Sequence, residues 1–329
     1  MQDFINWGIV APGRIAHKFA RDLQLVKGAK LYAIASRSFD RANEFARLYN
    51  APHAFGSYEE MVACPGLDAV YVASPHSEHC PHSLLFLENK IPVLCEKPIA
   101  INARQTRLMI ETARSNGTFF MEALWTRFIP LFEKMLEVLD EGIIGELKTV
   151  RADFGFHCTF PPEHRVFNLT LGGGALLDVG IYPVFLANCL FGKPESIKAT
   201  AVFGQTGADE SCAILLQYPG NKLAILDASI VVKTETEAHL YGEKGIIKLP
   251  GRFIHPQEMT VNLVDGKEIR FELAYKGGGF VHEIEEVMYC LRAGKTESEK
   301  MPLDFSLQLM ETLDSVRKEA GINYPGLDA

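Results

Sequence analysis

The sequence predicts an α/β protein of two domains. A doubly wound parallel sheet is expected over residues 1–122, and an α+β domain with a large open, mostly antiparallel sheet over 123–329. Three observations carry this. Compact apolar runs alternate with amphipathic runs through the first 120 residues, the pattern of parallel strands buried under helices on both faces. After Glu122 the apolar runs lengthen and alternate in polarity. Pro219-Gly220-Asn221, Gly242-Glu243-Lys244-Gly245 and Asp265-Gly266 separate several of them, as turns separate antiparallel strands. At the front, Asn6 to Ala16 runs from an apolar stretch through a small-residue turn into an amphipathic one, with Ile15, Phe19 and Leu23 at four-residue steps. That order is the first strand–turn–helix of a dinucleotide-binding sheet.

The turn Ala11-Pro12-Gly13-Arg14-Ile15-Ala16 follows G-x-G-x-x-G/A with alanine for the first glycine. Gly13, without a Cβ, lets a pyrophosphate approach the backbone, and the helix behind it offers unpaired N–H groups and the positive end of its dipole. Ala16 lets that helix lie against the strand. Ala11 implies a first turn without positive φ. The turn alone fits either a nucleotide site or an ordinary α/β connection.

The elements follow in order. Leu31–Ser36 reads as the second strand, Ser38 as the N-cap of a helix through Asn50, and Ser57–Ala63 as a short helix. Leu67–Ala73 is a buried strand, Ser77–Asn89 a helix, Ile91–Cys95 a strand, Asn102–Asn116 a helix stopped by Gly117, and Thr118–Met121 a last short strand. A helix from Pro130 to Glu141 opens the second half. Strands follow over 147–156, 195–203, 211–218, 222–231, 236–242, 245–249, 258–263 and 267–273, with helical insertions at 172–191 and 282–292. A closing helix over 303–320 is expected to pack back on the first domain.

Composition narrows the function. At 329 residues and 47% hydrophobic content the chain can bury two cores, and a net charge of −8 argues against nucleic acid as the main partner. No basic leader precedes an apolar run and no apolar run approaches membrane-spanning length, so a cytoplasmic protein without membrane contact is expected. The seven scattered cysteines read as reduced thiols. His76, His79, Cys80 and His82 are the nearest approach to a metal cluster, but they suit a helix start beside solvent or ligand, and no metal is expected.

Ligands of such sheets sit at the carboxyl ends of strands. The second strand ends in Ser36-Arg37-Ser38, with Arg41 one turn on. An NAD site places an acid here to accept from the ribose hydroxyls, whereas Arg37 pairs with a 2′-phosphate, so NADP is favoured over NAD. Ser74-Pro75-His76 and His79 follow the next long strand. Cys95-Glu96-Lys97-Pro98 then takes a charged pair out of an apolar strand, where charges need a partner or a task.

Together the Gly8–Ala16 turn, Ser74-Pro75-His76, Glu96-Lys97-Pro98 and Gly173-Gly174-Ala175-Leu176-Leu177-Asp178-Val179-Gly180-Ile181-Tyr182 resemble the glucose–fructose oxidoreductase / inositol dehydrogenase (Gfo/Idh/MocA) family over essentially the whole chain. Met121–Phe128, Leu171–Asp178 and Cys290–Ser298 are most similar to its dimeric dihydrodiol dehydrogenase and NADP-linked xylose dehydrogenase branch. Most of the family has Asp-x-x-x-His where this chain has Asp178-x-x-x-Tyr182, and that branch also carries tyrosine. The resemblance implies an N-terminal Rossmann domain and a hydride transfer between NADP and a hydroxyl-bearing carbon of a small polyol, sugar or dihydrodiol. It also implies a homo-oligomer, a dimer formed through the open sheet.

On that basis Tyr182 is the acid/base. A free phenol titrates near ~10, so a nearby cation, Lys97, is needed to favour the phenolate. Lys97 also polarises the substrate oxygen, and Asp178, four residues before Tyr182 and on the same helix face, orients the lysine or the hydroxyl. Arg165 matches a family arginine beside the cofactor. Trp125, Phe154, Phe156 and Phe280 are candidates to wall the substrate, Phe154 and Phe156 sharing one strand face. The rival reading is a non-catalytic NADP-binding regulator on the same fold.

Overall fold

The computed structural model describes residues 4–328. The chain packs as two compact units. One is the chain up to Phe128 with Lys276–Leu307; the other is Ile129–Tyr275 with the chain from Gln308 onward. Sequence had suggested one break, at 122/123. The return of 276–307 to the first unit has a visible cause: the buried Asp22 carboxylate accepts from the Gly278 and Phe280 N–H groups, each at 2.8 Å.

In the first unit β1 (Ile5–Val10), α1 (Arg14–Leu23), β2 (Ala29–Ala35), α2 (Phe39–Tyr49), β3 (His53–Phe55), α3 (Tyr58–Val62), β4 (Ala69–Val72), α4 (His79–Glu88), β5 (Val93–Glu96), α5 (Ala103–Asn116) and β6 (Phe120–Ala123) alternate as expected. Strand β3 is new; three half-buried residues are too few to show a period. All pairings are parallel, in the order β3-β2-β1-β4-β5-β6. The chain winds outward from β1, returns to its other side at β4, and winds outward again. That reversal opens a crevice at the carboxyl ends of β1 and β4. Trp7, Phe19 and Tyr71 pack together beneath it, Trp7 edge-on to Phe19 and Phe19 face to face with Tyr71 at 3.8 Å.

Three helices of this unit carry side-chain caps. Ser38 accepts from Arg41 N–H, Ser57 from Glu60 N–H and Asn102 from Gln105 N–H. Glu60 reaches back to accept from the Gly56 N–H, one residue before that cap. Helices α1 and α4, which follow the two crevice strands, have no side-chain cap.

The second unit holds α6 (Pro130–Asp140) and β7 (Leu147–Gly155), then α7 (Ile181–Phe191). Seven more strands follow: β8 (Ser196–Phe203), β9 (Asp209–Tyr218), β10 (Lys222–Ser229), β11 (Ala238–Gly242), β12 (Gly245–Leu249), β13 (Glu258–Leu263) and β14 (Glu268–Glu272). The sheet runs β14-β13-β12-β11-β7-β10-β9-β8, parallel only where β7 meets β10. Its inner face, with Ile214, Leu216, Leu226, Val150 and Leu240, is buried, and α7 packs against β7 and β10. Leu215 and Leu223 point the other way and are exposed, as is Val202 at the β8 edge. Helix α8 (Val281–Arg292) belongs to the first unit, and α9 (Leu303–Ala320) is divided between the two after Leu307.

Two expectations change here. The insertion expected as one helix over 172–191 is broken: Gly172 and Gly174 have φ of 74° and 135°, a wide helical turn spans Leu176–Gly180, and only then does α7 begin. Positive φ cannot continue a right-handed helix. Contrary to the reading of apolar runs, Leu169–Phe191 is long and apolar enough to cross a membrane by composition; 83% of that window is buried inside the protein, as in a core helix.

Candidate functional site

The β1 turn departs from expectation at its first residue. Ala11 has φ of 63°, the left-handed region, while its N–H donates to Ala35 O at 3.0 Å. The bond to β2 holds the chain in a conformation that costs a side-chain-bearing residue about 1–2 kcal/mol. Gly13 is extended and caps α1 without a side-chain bond, and a Cβ there would meet nothing closer than Ala11 O at 3.9 Å. The backbone is therefore open above the first amides of α1. Pro12 is buried, Ile15 half-buried and Arg14 exposed at the helix start.

At the end of β2, Ser36 is buried and its Oγ accepts from Ser38 N–H, while Arg37 and Arg41 are exposed. Arg37 and Arg41 both bear on the Tyr58 phenol: burial raises its pKa, helped by the Glu78 and Glu59 carboxylates, and the two arginines oppose the rise. The end of the strand itself carries Ser36-Arg37-Ser38 and not the acid of a ribose-binding NAD site.

At the end of β4, Ser74 and His76 are buried beside Pro75. The Ser74 Oγ is closed to water and makes no hydrogen bond among the described residues. His79 was expected to meet the cofactor. It is wholly buried instead, with Nδ1 2.7 Å from Pro98 O and Nε2 2.9 Å from Ser74 O, which leaves no ring nitrogen for a ligand or a metal. Burial pushes its pKa down to about 4, against the two carbonyls, which favour the cation. The neutral ring has one N–H to give, so His79 packs between the Ser74 loop and the Lys97 turn and hydrogen-bonds one of the two carbonyls.

That turn is anchored on every side. Glu96 accepts from the Tyr71 hydroxyl and, at 3.2 Å, from Lys97 N–H, so its carboxyl is committed inside the unit. Glu122, which sequence reading passed over, is fully buried at the end of β6 and accepts from Ile99 N–H at 2.9 Å. Its pKa is pushed up to about 7, chiefly by burial; the Ser306 hydroxyl, the Ile99 N–H and the Lys97 charge resist the shift. Half-buried Lys97 thus stands on a turn held by Glu96, His79 and Glu122. In the same unit Trp125 stacks on Phe280, 5.1 Å apart and 9° from parallel, a flat aromatic wall.

In the second unit Asp178 is buried on the wide turn and Tyr182 on the first turn of α7. Arg165 Nη1 donates to Asp178 Oδ1 at 3.1 Å. Asp178 therefore has a cation from its own unit, and Arg165 is placed as its partner. The turn is set by close backbone approach. A Cβ on Gly173 would lie 2.4 Å from Arg165 O, and one on Gly174 2.0 Å from Asp209 Oδ1. Phe154 lies against Tyr182 with ring centroids 5.5 Å apart. Phe156 falls just past the end of β7, half-buried, so the two phenylalanines are not a pair within one strand. None of the seven cysteines forms a disulfide, and no cluster fit for a metal occurs among the described residues.

The crevice fits a dinucleotide by its own chemistry: an orphaned serine hydroxyl, an uncapped helix start behind an open glycine, and two exposed arginines. The fold and these groups define a nucleotide-binding α/β protein. Comparison with known proteins narrows this. The family model for oxidoreductases with an NAD-binding Rossmann fold matches residues 5–124, and that for the GFO/IDH/MocA C-terminal domain matches 132–248. Trans-1,2-dihydrobenzene-1,2-diol dehydrogenase of Mus musculus is 39% identical, covering 98% of each chain, and the Homo sapiens protein of that name is 37% identical with the same coverage. The chain belongs to the GFO/IDH/MocA oxidoreductase family. Among solved structures, a 3-ketoreductase from Actinomadura kijaniata in complex with NADP and TDP-benzene matches with TM-score 0.88 at 25% identity, over 96% of this chain and 98% of that one. An aldose-aldose oxidoreductase from Caulobacter crescentus complexed with glycerol matches with TM-score 0.88 at 21% identity, over 97% and 98%.

Proposed function

We propose that this chain is an NADP-linked dehydrogenase acting on a hydroxyl-bearing carbon of a small diol, polyol or sugar, with trans-dihydrodiols of arenes the first substrates to try. The observation that carries the reading is the near full-length relationship, at 39% identity, to a dihydrodiol dehydrogenase. Bound NADP would supply the hydride acceptor. Ser74 and the open α1 amides would hold its phosphates and ribose, and Arg37 with Arg41 its 2′-phosphate. Lys97 would polarise the substrate hydroxyl and Tyr182 would take its proton. Asp178, with Arg165, would fix the position of the wide turn. Trp125, Phe280 and Phe154 would present flat apolar walls to a ring.

The same reading includes a cytoplasmic homodimer. Leu215, Leu223 and Val202 sit on the outer side of the eight-stranded sheet, and a second copy laid on that face would cover them. Sedimentation at micromolar concentration tests this; a monomer ends it.

The function is tested by mixing the protein with NADP and a panel of trans-dihydrodiols, aldoses and cyclic polyols, and following the absorbance of reduced cofactor. Turnover on at least one class is expected, with NADP preferred over NAD by roughly tenfold or more. Tight NADP binding with silence across the panel would make the chain a cofactor-binding regulator instead.

A further inference from the structure

A second buried acid, outside the groups assigned so far, stands behind the Asp178 turn. Asp209 opens β9 and is shut off from water. Its Oδ2 accepts from Leu176 N–H at 2.7 Å. Leu176 is the first residue of the wide turn that carries Asp178 and runs directly into α7 and Tyr182. The acceptor therefore sits on the leading amide of the segment, where an N-terminal N–H has no helical partner of its own.

The surroundings are built around this carboxyl. Gly174 leaves the room it occupies, since any Cβ there would fall 2.0 Å from Asp209 Oδ1 and 3.3 Å from the Tyr324 hydroxyl. Asp209 Oδ1 and Tyr324 Oη thus border the same space, both buried and neither hydrogen-bonded among the described residues. Tyr324 is held in turn by Arg317, whose guanidinium lies over its ring at 4.6 Å and pairs with Asp314 and Asp328. The ionisable groups facing Asp209 are Arg317 from α9, Tyr324 from the C-terminal segment and Cys212 from β9 itself; the turn presents backbone amides.

We propose that Asp209 is the positioning residue of the Asp178–Tyr182 segment: it grips the Leu176 amide and so fixes where both side chains stand. This rests on the assignment of Tyr182 as the proton-exchanging group. A buried amide that loses its acceptor has no water to turn to, so the turn must shift to recover a partner. A small displacement of a reacting group is enough to slow chemistry without touching cofactor affinity.

The test pairs kinetics with hydrogen exchange, because exchange reads the turn whether or not the dehydrogenase reading survives. In Asp209→Ala, amides of residues 175–180 should exchange roughly tenfold faster. Its kcat should fall roughly ten- to hundredfold while the KM for NADP stays within about twofold. Asp209→Asn, which keeps an oxygen for the Leu176 N–H, should recover both readouts to within about threefold. Unchanged exchange over 175–180, unchanged kcat beside fast exchange, or an asparagine variant no better than alanine would each overturn the proposal. Should Asp209→Ala not fold, Asp209→Ser serves, a small polar side chain too short to span to the Leu176 N–H: faster exchange of the same turn with a lower kcat is expected, and wild-type values in both overturn the proposal. A wild-type protein silent on every substrate would end the functional reading, while the exchange arm would still decide the role of Asp209.

Discussion

The Lys97 turn and the Asp178 turn reach fixed positions by opposite means. Around Lys97 the fixing groups are buried polar side chains: Glu96 to the Tyr71 hydroxyl, His79 to Pro98 O, Glu122 to Ile99 N–H. Around Asp178 the main device is the absence of side chains, with Gly173 and Gly174 allowing backbone and carboxylate to approach where no Cβ fits. Buried carboxyls hold through hydrogen bonds and respond to pH; glycines hold through steric contact and do not. The first turn rests on protonatable groups, whereas the second adds to the Asp209 carboxyl two glycine positions that should fail abruptly on any added atom.

The largest effect should come at the chemistry itself. Lys97→Met is expected to lower kcat roughly a thousandfold with NADP affinity nearly unchanged, measured by turnover and by cofactor titration. Turnover within tenfold of wild type would strip the lysine of its role and leave only its anchoring turn to compare.

Next comes the steric side. Gly173→Ala puts a Cβ 2.4 Å from Arg165 O and 2.7 Å from Val166 O, both backbone atoms, so the surrounding chain has to move. A loss of about 3 kcal/mol in denaturant unfolding is expected; a loss below about 0.5 kcal/mol would show that the turn is softer than described.

The protonation side follows. The Glu122 carboxyl titrates at about 7 in the folded chain against 4.5 for the free group. The folded state then holds the proton more tightly, so the stabilisation is complete below pH ~4.5 and is lost as pH rises through ~7. Glu122→Gln, which stays neutral, should abolish that decline, gaining about 1–3 kcal/mol on wild type at pH 8 relative to pH 5. Parallel stability–pH curves for the two proteins would remove the buried-acid account.

The smallest effect contrasts one glycine with another. A Cβ at Gly13 meets only Ala11 O at 3.9 Å. Gly13→Ala should therefore leave Tm within about 2 °C while weakening NADP binding about tenfold, since the methyl projects where the phosphates approach. A large drop in Tm would put this glycine in the same class as Gly173.

Much of the first unit was legible because its signals are local. Ser38, Ser57 and Asn102 sit where helix caps must, and Gly117 ends α5 with φ of 61°. The cofactor-end segments were legible because charged or small residues interrupt apolar strands. Glu122 left the same signal, a lone acid inside Phe119-Phe120-Met121-Glu122-Ala123, and it went unread. Asp209 left none: its task is set by Leu176, 33 residues away, and no spacing rule reports such a contact. The left-handed Ala11 was hidden for a similar reason, since the bond to Ala35 that imposes it belongs to the neighbouring strand. Continuity of 172–191 was misjudged because apolar periodicity does not register φ, and the two glycines that break the helix sit in a run that reads as helical.

Strand β7 is the first strand of the large sheet to be synthesised, yet it lies between β11 and β10. On one side β8, β9 and β10 form a meander of near neighbours in sequence; on the other β11 to β14 form a second. Each ribbon closes over short loops, whereas joining them waits until β7 has met β10 across more than 60 residues and β11 across more than 80. The seam between the two ribbons thus carries the longest sequence separations in the sheet. Without β7 nothing pairs one ribbon with the other.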